Sequence, residues 1–343
     1  MVISKTPFRI SFFGGGTDYP SWYLDHGGSV ISAAIDKYCY ISVRVLPPFF
    51  GTKFRVVYSK IEDANDVREI NHPAVRAILR AKNITYGVEI HHDGDLPARS
   101  GTGSSSSFAV GLINCIRTMK GQGCSPKRLA ADAIYSERTL MRETVGSQDQ
   151  VAAAYGGLNV INFYKSYGKE FSVEPIKLDK SITDELFDRL FIVFTGISRT
   201  ASDIAVAYSR VDKDKELILY RTMDLVRVAE DFLRSGDIDN FGLLLDRAWE
   251  LKRSFSSNIS NPLIDSIYKA AKANGALGGK VIGAGGGGFV LIFAKKGKRN
   301  DLIRMFSERF VCVPVGLSNE GSKIIYFDDE EDRKFRELEW ITS

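Results

Sequence analysis

The chain has 343 residues, 44% hydrophobic and 26% charged, which describes a globular protein long enough for two cores rather than a disordered or fibrous one. Its net charge of +4 is small for that length and argues against a dedicated nucleic-acid binder, though not against small anionic substrates. No run of about 18 apolar residues is present to span a bilayer, and residues 1–7 lack the apolar stretch of a signal peptide, so a cytoplasmic protein is expected. Cys39, Cys115, Cys124 and Cys312 show no C-x-x-C spacing and read as reduced thiols in or near the interior.

In chain order, residues 2–13 and 29–46 read as strands, the second alternating Ile41, Val43 and Val45 with Ser42 and Arg44. Between them Gly14-Gly15-Gly16-Thr17-Asp18-Tyr19-Pro20 must be a loop, and Pro47-Pro48 stops the second run. A short strand is expected over 53–59, a helix over 73–82 behind Pro73, and a strand over 87–91. The stripe Phe108, Ala109, Leu112, Ile113 and Ile116 predicts a helix through Met119. Ser125-Pro126 has the form of an N-cap followed by proline, opening a helix to about Glu143. Gly146-Ser147 breaks it, and a further helix follows over 148–154. A strand pair is expected near 158–164 and 170–176.

The polar segment 178–188 is the expected boundary between a first domain, 1–182, and a second, 183–343. The second begins with a buried strand at Phe191–Thr195, continues with helices over 201–254, and has another helix from Asn261-Pro262 to Gly275. Strands flank the run Gly283-Ala284-Gly285-Gly286-Gly287-Gly288, and a helix near 299–310 and strands near 312–316 and 323–327 complete it. Residues 328–337 are strongly charged and read as a solvated tail.

Chemistry concentrates at Asp95–Ser107, between a strand and a helix. Two glycines there let the backbone approach a ligand, and four serines add hydroxyls where helix amides lack partners, which makes an anion site with phosphate as the expected anion. The second glycine run matches G-x-G-x-x-G, but a strand rather than a helix follows it, so a dinucleotide fingerprint fails. A P-loop fails too: Asn274 stands where its first glycine belongs, and Val281 where Ser or Thr is required. Five glycines in that run exceed what a tight turn needs, so close approach to a ligand or to another backbone is expected.

Asp149, in the first turn of its helix, reads as a carboxylate that holds or deprotonates a hydroxyl, or as a plain helix-capping acid. Glu137, Asp18 and Arg9 have equally ordinary alternatives: a surface glutamate, an Asx-turn and a solvent-facing strand residue. His26, His72, His91 and His92 lack metal-site spacing.

Together these residues resemble the GHMP kinase superfamily. Three motifs occur in the family's order: Thr6–Tyr19, Pro97–Ser106 (close to P-x-x-x-G-L-G-S-S-A), and Lys280–Phe289 with its AGGGG core. Within the superfamily, FRISFFGGGTDYP, SERTLMRETVGSQDQVAAAYGGLNVI and VIGAGGGGFVLIF resemble the D-glycero-D-manno-heptose 7-phosphate kinases, with fucokinase C-terminal domains as the nearest competitor. The resemblance implies an α+β fold of two domains, a ribosomal S5 domain 2-like N-terminal one and a ferredoxin-like C-terminal one.

It also implies ATP as co-substrate, Mg²⁺, and a sugar phosphate as acceptor, phosphorylated at the anomeric hydroxyl. No nucleic-acid or membrane partner is expected, and the oligomeric state, monomer or homodimer, is left open. By carry-over, Pro97, Arg99, Ser100, Gly101, Thr102, Gly103, Ser104, Ser105 and Ser106 wrap the triphosphate. Ser104 or Ser105 and Glu137 hold Mg²⁺, while Asp149 and Arg9 act at the reacting hydroxyl and the phosphoryl group. Gly15, Gly16, Thr17, Asp18, Tyr19, Arg199, Gly285 and Gly286 fall on the substrate side. Arg99, Arg138, Arg142 and Arg199 are candidates for the acceptor's phosphate. Gly15-Gly16 stand where galactokinases have Glu-His, which weighs against galactose; Thr102 and Ser106 replace the motif's leucine and alanine. The other readings are an L-fucokinase-like enzyme, a GHMP-fold binding protein without catalysis, and a nucleic-acid protein.

Overall fold

Strand β1 (Val2–Phe13) alternates buried and half-buried residues at its start and is buried throughout from Thr6 onward. That change marks where the sheet becomes covered on both faces, a pattern expected of strands sandwiched between layers. The computed structural model describes residues 1–165, 170–197 and 212–328.

On one side of β1 lies α3 (Ser104–Met119), close enough that Ser4 Oγ donates to the Gly111 carbonyl at 3.1 Å and a Cβ on Gly111 would stand 2.9 Å from Thr6 Oγ1. On the other side the rings of Phe12 and Phe13 meet Phe241 edge-on, with centroids 5.4 and 5.2 Å apart. Phe241 belongs to the second unit, so β1 is where the two units join.

The first sheet has eight strands. Its main path runs β12 (Lys323–Phe327), β1, β2 (Gly28–Val45), β5 (Val88–Gly94), β3 (Phe54–Val57) and β4 (Ile61–Ala64). β2 is long enough to serve two partners: its second half pairs with β5, and its first half with β6 (Leu158–Phe163), which in turn pairs with β7 (Phe171–Pro175). α1 (Pro20–His26), α2 (Pro73–Ala81), α4 (Pro126–Tyr135) and α5 (Gln148–Tyr155) complete this layer.

The second unit has a four-stranded antiparallel sheet, ordered β11 (Cys312–Pro314), β8 (Leu190–Phe194), β10 (Phe289–Ala294), β9 (Ala276–Val281). Helices α7 (Lys213–Ser235), α8 (Ile238–Phe255) and α9 (Pro262–Ala273) lie between β8 and β9, and α10 (Arg299–Ser307) between β10 and β11. This is the ferredoxin-like arrangement.

The last strand does not stay with that unit. β12 pairs antiparallel with β1, Val2 opposite Phe327, so a division into 1–182 and 183–343 separates β12 from its sheet. Four further differences have local causes. α6 (Lys180–Phe187) forms inside the expected boundary because it buries Leu186 and Phe187. α1 starts at Pro20, inside a stretch too short to show a period. The helical region after 212 is split at Gly236, whose φ of 75° ends α7 while Asp237 caps α8. The helix expected to reach Glu143 ends at Tyr135 and passes into a π-turn, Ser136–Leu140.

Candidate active site

The loop before α3 gains its shape from three residues in left-handed backbone: Arg99 (φ 58°), Gly101 (85°) and Gly103 (76°). Alternating hands along a short segment turn successive amides toward one side, which is how backbone makes an anion nest. Gly103 is the N-cap of α3 and supplies no side chain, so the first-turn amides meet no capping oxygen. Ser100 and Thr102 are buried struts: Ser100 Oγ donates to the Pro97 carbonyl at 2.7 Å and lies 3.2 Å from Thr102 Oγ1. Ser104 Oγ accepts from the Arg99 amide at 3.3 Å, and Ser105 is exposed.

The glycine run between β9 and β10 lies directly on this loop. A Cβ on Gly101 would sit 2.5 Å from the Ile282 carbonyl oxygen, and one on Gly288 2.2 Å from the Ser100 oxygen. The Phe289 amide donates to that same Ser100 oxygen at 3.2 Å. Close approach to another backbone thus accounts for Gly283 and Gly288. Gly285 and Gly286 lean on the second unit instead: the Gly286 amide donates to the Ile259 carbonyl at 2.8 Å, and Asn261 Nδ2 donates to the Gly286 oxygen at 3.1 Å.

Beneath the loop, Arg9 and Asp149 form a two-pronged ion pair. Arg9 Nε donates to Asp149 Oδ1 at 2.7 Å and Nη2 to Oδ2 at 2.5 Å, while Nη1 donates to the Gly101 carbonyl at 2.6 Å. The Arg9 amide also donates to the Thr102 carbonyl at 3.1 Å, which ties β1 to the loop. Arg9 is 4% exposed, so it is no solvent-facing strand residue, whereas the Asp149 side chain keeps 25% of its surface open. A fork-to-carboxylate pair fixes orientation as well as charge. A Cβ on Gly103 would stand 3.4 Å from Asp149 Oδ2, so the nest and the carboxylate are neighbours.

The π-turn turns Glu137 inward. It is buried, accepts from Ser106 Oγ at 3.0 Å and from Gln150 Nε2, and its Oε1 has no partner. Burial pushes its carboxyl up to about 8, with Glu143 and Asp149 adding to the rise and the Gln150 and Ser106 hydrogen bonds opposing it. Sequence expectation paired Glu137 with Ser104 or Ser105; the structure brings Ser106 to it, because position 106 falls on the buried side of α3. A buried carboxylate oxygen left without a partner, beside a hydroxyl, is a hard-oxygen donor set that fits Mg²⁺.

The Gly14–Tyr19 loop is braced from within. Thr17 Oγ1 donates to the carbonyls of Gly14 (2.8 Å) and Ser29 (3.0 Å) and accepts from the Ser29 amide, and Thr17 is fully buried. It therefore shapes the loop rather than presenting a hydroxyl to a ligand. Asp18, also buried, accepts from the Gly16 amide at 3.0 Å and the Gln148 amide at 3.4 Å. Burial, then repulsion from Asp149, raises its carboxyl above the usual range. Gly15 faces Ser11 and Gln148, Gly16 takes φ 105°, and Tyr19 is the N-cap of α1. Of the arginine candidates, Arg138 Nη1 donates to Tyr23 Oη at 2.7 Å, Arg99 and Arg142 are exposed, and Arg199 lies outside the described residues.

Two residues escaped the sequence reading. Lys280 Nζ reaches across the units to the Phe12 carbonyl at 2.9 Å, and Lys252 Nζ holds the Val281 and Gly283 carbonyls at 2.8 and 2.5 Å. A lysine inside the wholly buried strand β9 was a usable signal for the first. Lys252, beside Arg253 on a helix with many charges, offered none.

The chain matches the GHMP kinases N terminal domain over residues 68–157, which hold the serine loop, Glu137 and Asp149. It matches the GHMP kinases C terminal domain over 229–312, which hold the glycine run. Both halves being present in order, the chain belongs to the GHMP kinases, and it is an ATP-dependent kinase. Among its relatives is the D-glycero-alpha-D-manno-heptose 7-phosphate kinase of Campylobacter jejuni, 29% identical over 94% of this chain and 98% of that one. The bifunctional fucokinase/GDP-fucose pyrophosphorylase of Arabidopsis thaliana is 26% identical over 92% of this chain, which spans about a third (32%) of that protein. Similar solved structures include a D-glycero-D-manno-heptose 1-phosphate kinase from Bacteroides thetaiotaomicron, with TM-score 0.78, 20% identity, and 96% and 100% of the two chains covered. Lactococcus lactis galactokinase with galactose gives TM-score 0.70 at 17% identity, covering 94% of each.

Proposed function

We propose that this kinase phosphorylates the anomeric hydroxyl of D-glycero-D-manno-heptose 7-phosphate, giving the 1,7-bisphosphate on the way to a nucleotide-activated heptose. The observation that carries a phosphoryl-transfer reading is the Arg9–Asp149 pair set directly under the left-handed anion loop. The choice of acceptor is supported by the near full-length relative from C. jejuni and by the Gly15-Gly16 sequence, which differs from the Glu-His of galactokinases.

In this reading the triphosphate lies on the amides of Ser100–Ser106 at the start of α3. Asp149 holds the acceptor hydroxyl and takes its proton as the oxygen bonds to the γ-phosphorus; the bond to the β–γ bridging oxygen breaks and ADP leaves. Arg9 shares its guanidinium between Asp149 and the Gly101 carbonyl, so it stands where negative charge on the moving phosphoryl group is neutralised. Such transfer rests mainly on positioning and electrostatics, so few side chains suffice. Glu137 and the neighbouring serines would hold Mg²⁺, which when bound offsets phosphate charge. Thr17 and Asp18 keep the Gly14–Gly16 turn in shape against the acceptor.

No described helix is long and apolar enough to cross a membrane. ATP consumption by the purified protein, measured with heptose 7-phosphate, free heptose, L-fucose and galactose, tests the proposal. Turnover should be greatest with heptose 7-phosphate. Preferred turnover of L-fucose would move the acceptor to the fucokinase reading, and no turnover with any sugar would reject the acceptor class.

A further inference from the structure

Beside the Gly14-Gly15 turn lies a small, partly open cleft where Lys252 and Lys280 meet Phe13, Gly14, Gly15 and Thr222, with the apolar side chains of Ile218, Leu219, Ala248 and Phe255 completing its wall. Its two cations come from different elements of the second unit, Lys252 from α8 and Lys280 from β9. Lys280 is 5% exposed. Among the described residues their hydrogen bonds go to backbone carbonyls, and neither has a carboxylate within salt-bridge reach. Buried charges are ordinarily paired with an opposite charge. Asp18, the acid whose charge bears on both, has its oxygens on the amides of Gly16 and Gln148.

The donor count points the same way. An ammonium has three N–H donors. Lys252 commits two to Val281 and Gly283, and Lys280 commits one to Phe12. Uncommitted donors on two lysines without a carboxylate partner, at a cleft next to the Gly14-Gly15 turn, are what an anion site requires. Burial lowers both ammonium groups below the ordinary lysine range, Lys280 to about 8, with Arg9 adding to the fall in each and Lys280 to that of Lys252. An anion arriving between the two lysines would favour their charged forms.

We infer that Lys252 and Lys280 bind the phosphate that a phosphorylated acceptor already carries, with the Gly14-Gly15 turn between that group and the reacting end. A sugar phosphate monoester brings a charge of about −1.5 to −2 at neutral pH, which complements two lysines. Gly15 faces Gln148, and the Arg9 charge acts on both lysines, so the cleft lies on the same side as the Arg9–Asp149 pair. Because Lys280 bridges to β1 and Lys252 holds the glycine run, a phosphate here would also brace the contact between the units. This assignment rests on the sugar-phosphate reading above, and it replaces the arginine candidates with two lysines.

The test is equilibrium binding of heptose 7-phosphate and of unphosphorylated heptose, with a non-hydrolysable ATP analogue filling the nucleotide site. Wild type should prefer the phosphorylated sugar. Lys252→Met should shrink that preference about tenfold or more, the scale of a lost charge-assisted contact, and Lys252→Arg should restore much of it. An unchanged preference in Lys252→Met would overturn the assignment, as would equal losses for both sugars. Inorganic phosphate, added to enzyme with the analogue bound, separates this inference from the acceptor reading. If heptose 7-phosphate is not an acceptor but phosphate raises the melting temperature of wild type and not of Lys252→Met, the anion site stands and the acceptor reading falls. Normal turnover with no such difference would do the reverse.

Discussion

Replacing Glu137 with Gln tests a strongly perturbed acid of the site. The buried carboxyl titrates at about 8 in the folded chain against an ordinary 4.5, because burial disfavours its charged form. Between those values the folded state holds a proton that the unfolded state has lost. Stability therefore falls as pH rises from about 4.5 to about 8, at about 1.4 kcal/mol per pH unit. The whole span amounts to roughly 5 kcal/mol, an upper figure for one group. Glutamine keeps the shape and carries no charge, so Glu137→Gln should not share this loss. Asp18 and Glu143 are also raised, but both proteins contain them, so the difference isolates Glu137. Thermal unfolding without nucleotide, followed from pH 5 to 9, should show the variant gaining on wild type by roughly 5–10 °C at the alkaline end. Adding Mg²⁺ and ADP should then favour wild type more than the variant. Parallel melting curves across the range would refute the reasoning, because they would mean that Glu137 titrates normally.

Asp149→Asn keeps the side-chain size but places an amide where Arg9 expects a second oxygen; kcat should fall about 10²- to 10⁴-fold with nucleotide affinity largely kept, and near-normal turnover would remove the base assignment. Gly101→Ala forces a Cβ to 2.5 Å from the Ile282 carbonyl at φ 85°, whereas Gly121→Ala, at φ 66°, meets nothing within 4 Å. Urea unfolding should show the first costing several-fold more stability than the second, and equal costs would contradict the backbone contact. Thr17→Val should cost about 1–3 kcal/mol by removing the hydroxyl's bonds to the Gly14 and Ser29 carbonyls and to the Ser29 amide, and a loss confined to acceptor affinity would return Thr17 to direct sugar contact.

Much of the site was legible because its requirements are local. Glycines at positive φ and serines at a helix start must be near one another in sequence, so the loop at 97–106 and its place before a helix could be read directly. The hairpin setting of the second glycine run was visible for the same reason, from the strand Phe289–Phe293 behind it. What could not be read depends on tertiary approach. Arg9 and Asp149 are 140 residues apart, and only the crossing of β1 under the loop joins them. The π-turn that buries Glu137 and selects Ser106 leaves no period in the sequence. The return of β12 to β1 is a pairing between the two ends of the described chain, which no window of residues reveals. Lys252 gains meaning only from the carbonyls it meets.

The most direct test of the whole account is to identify the product. Heptose 7-phosphate, ATP and Mg²⁺ incubated with the enzyme, followed by phosphorus NMR, should give a second sugar phosphate resonance coupled to the anomeric proton, with ADP formed in equal amount. A phosphate coupled to any other sugar proton, or ATP left intact beside unchanged heptose 7-phosphate, would contradict it.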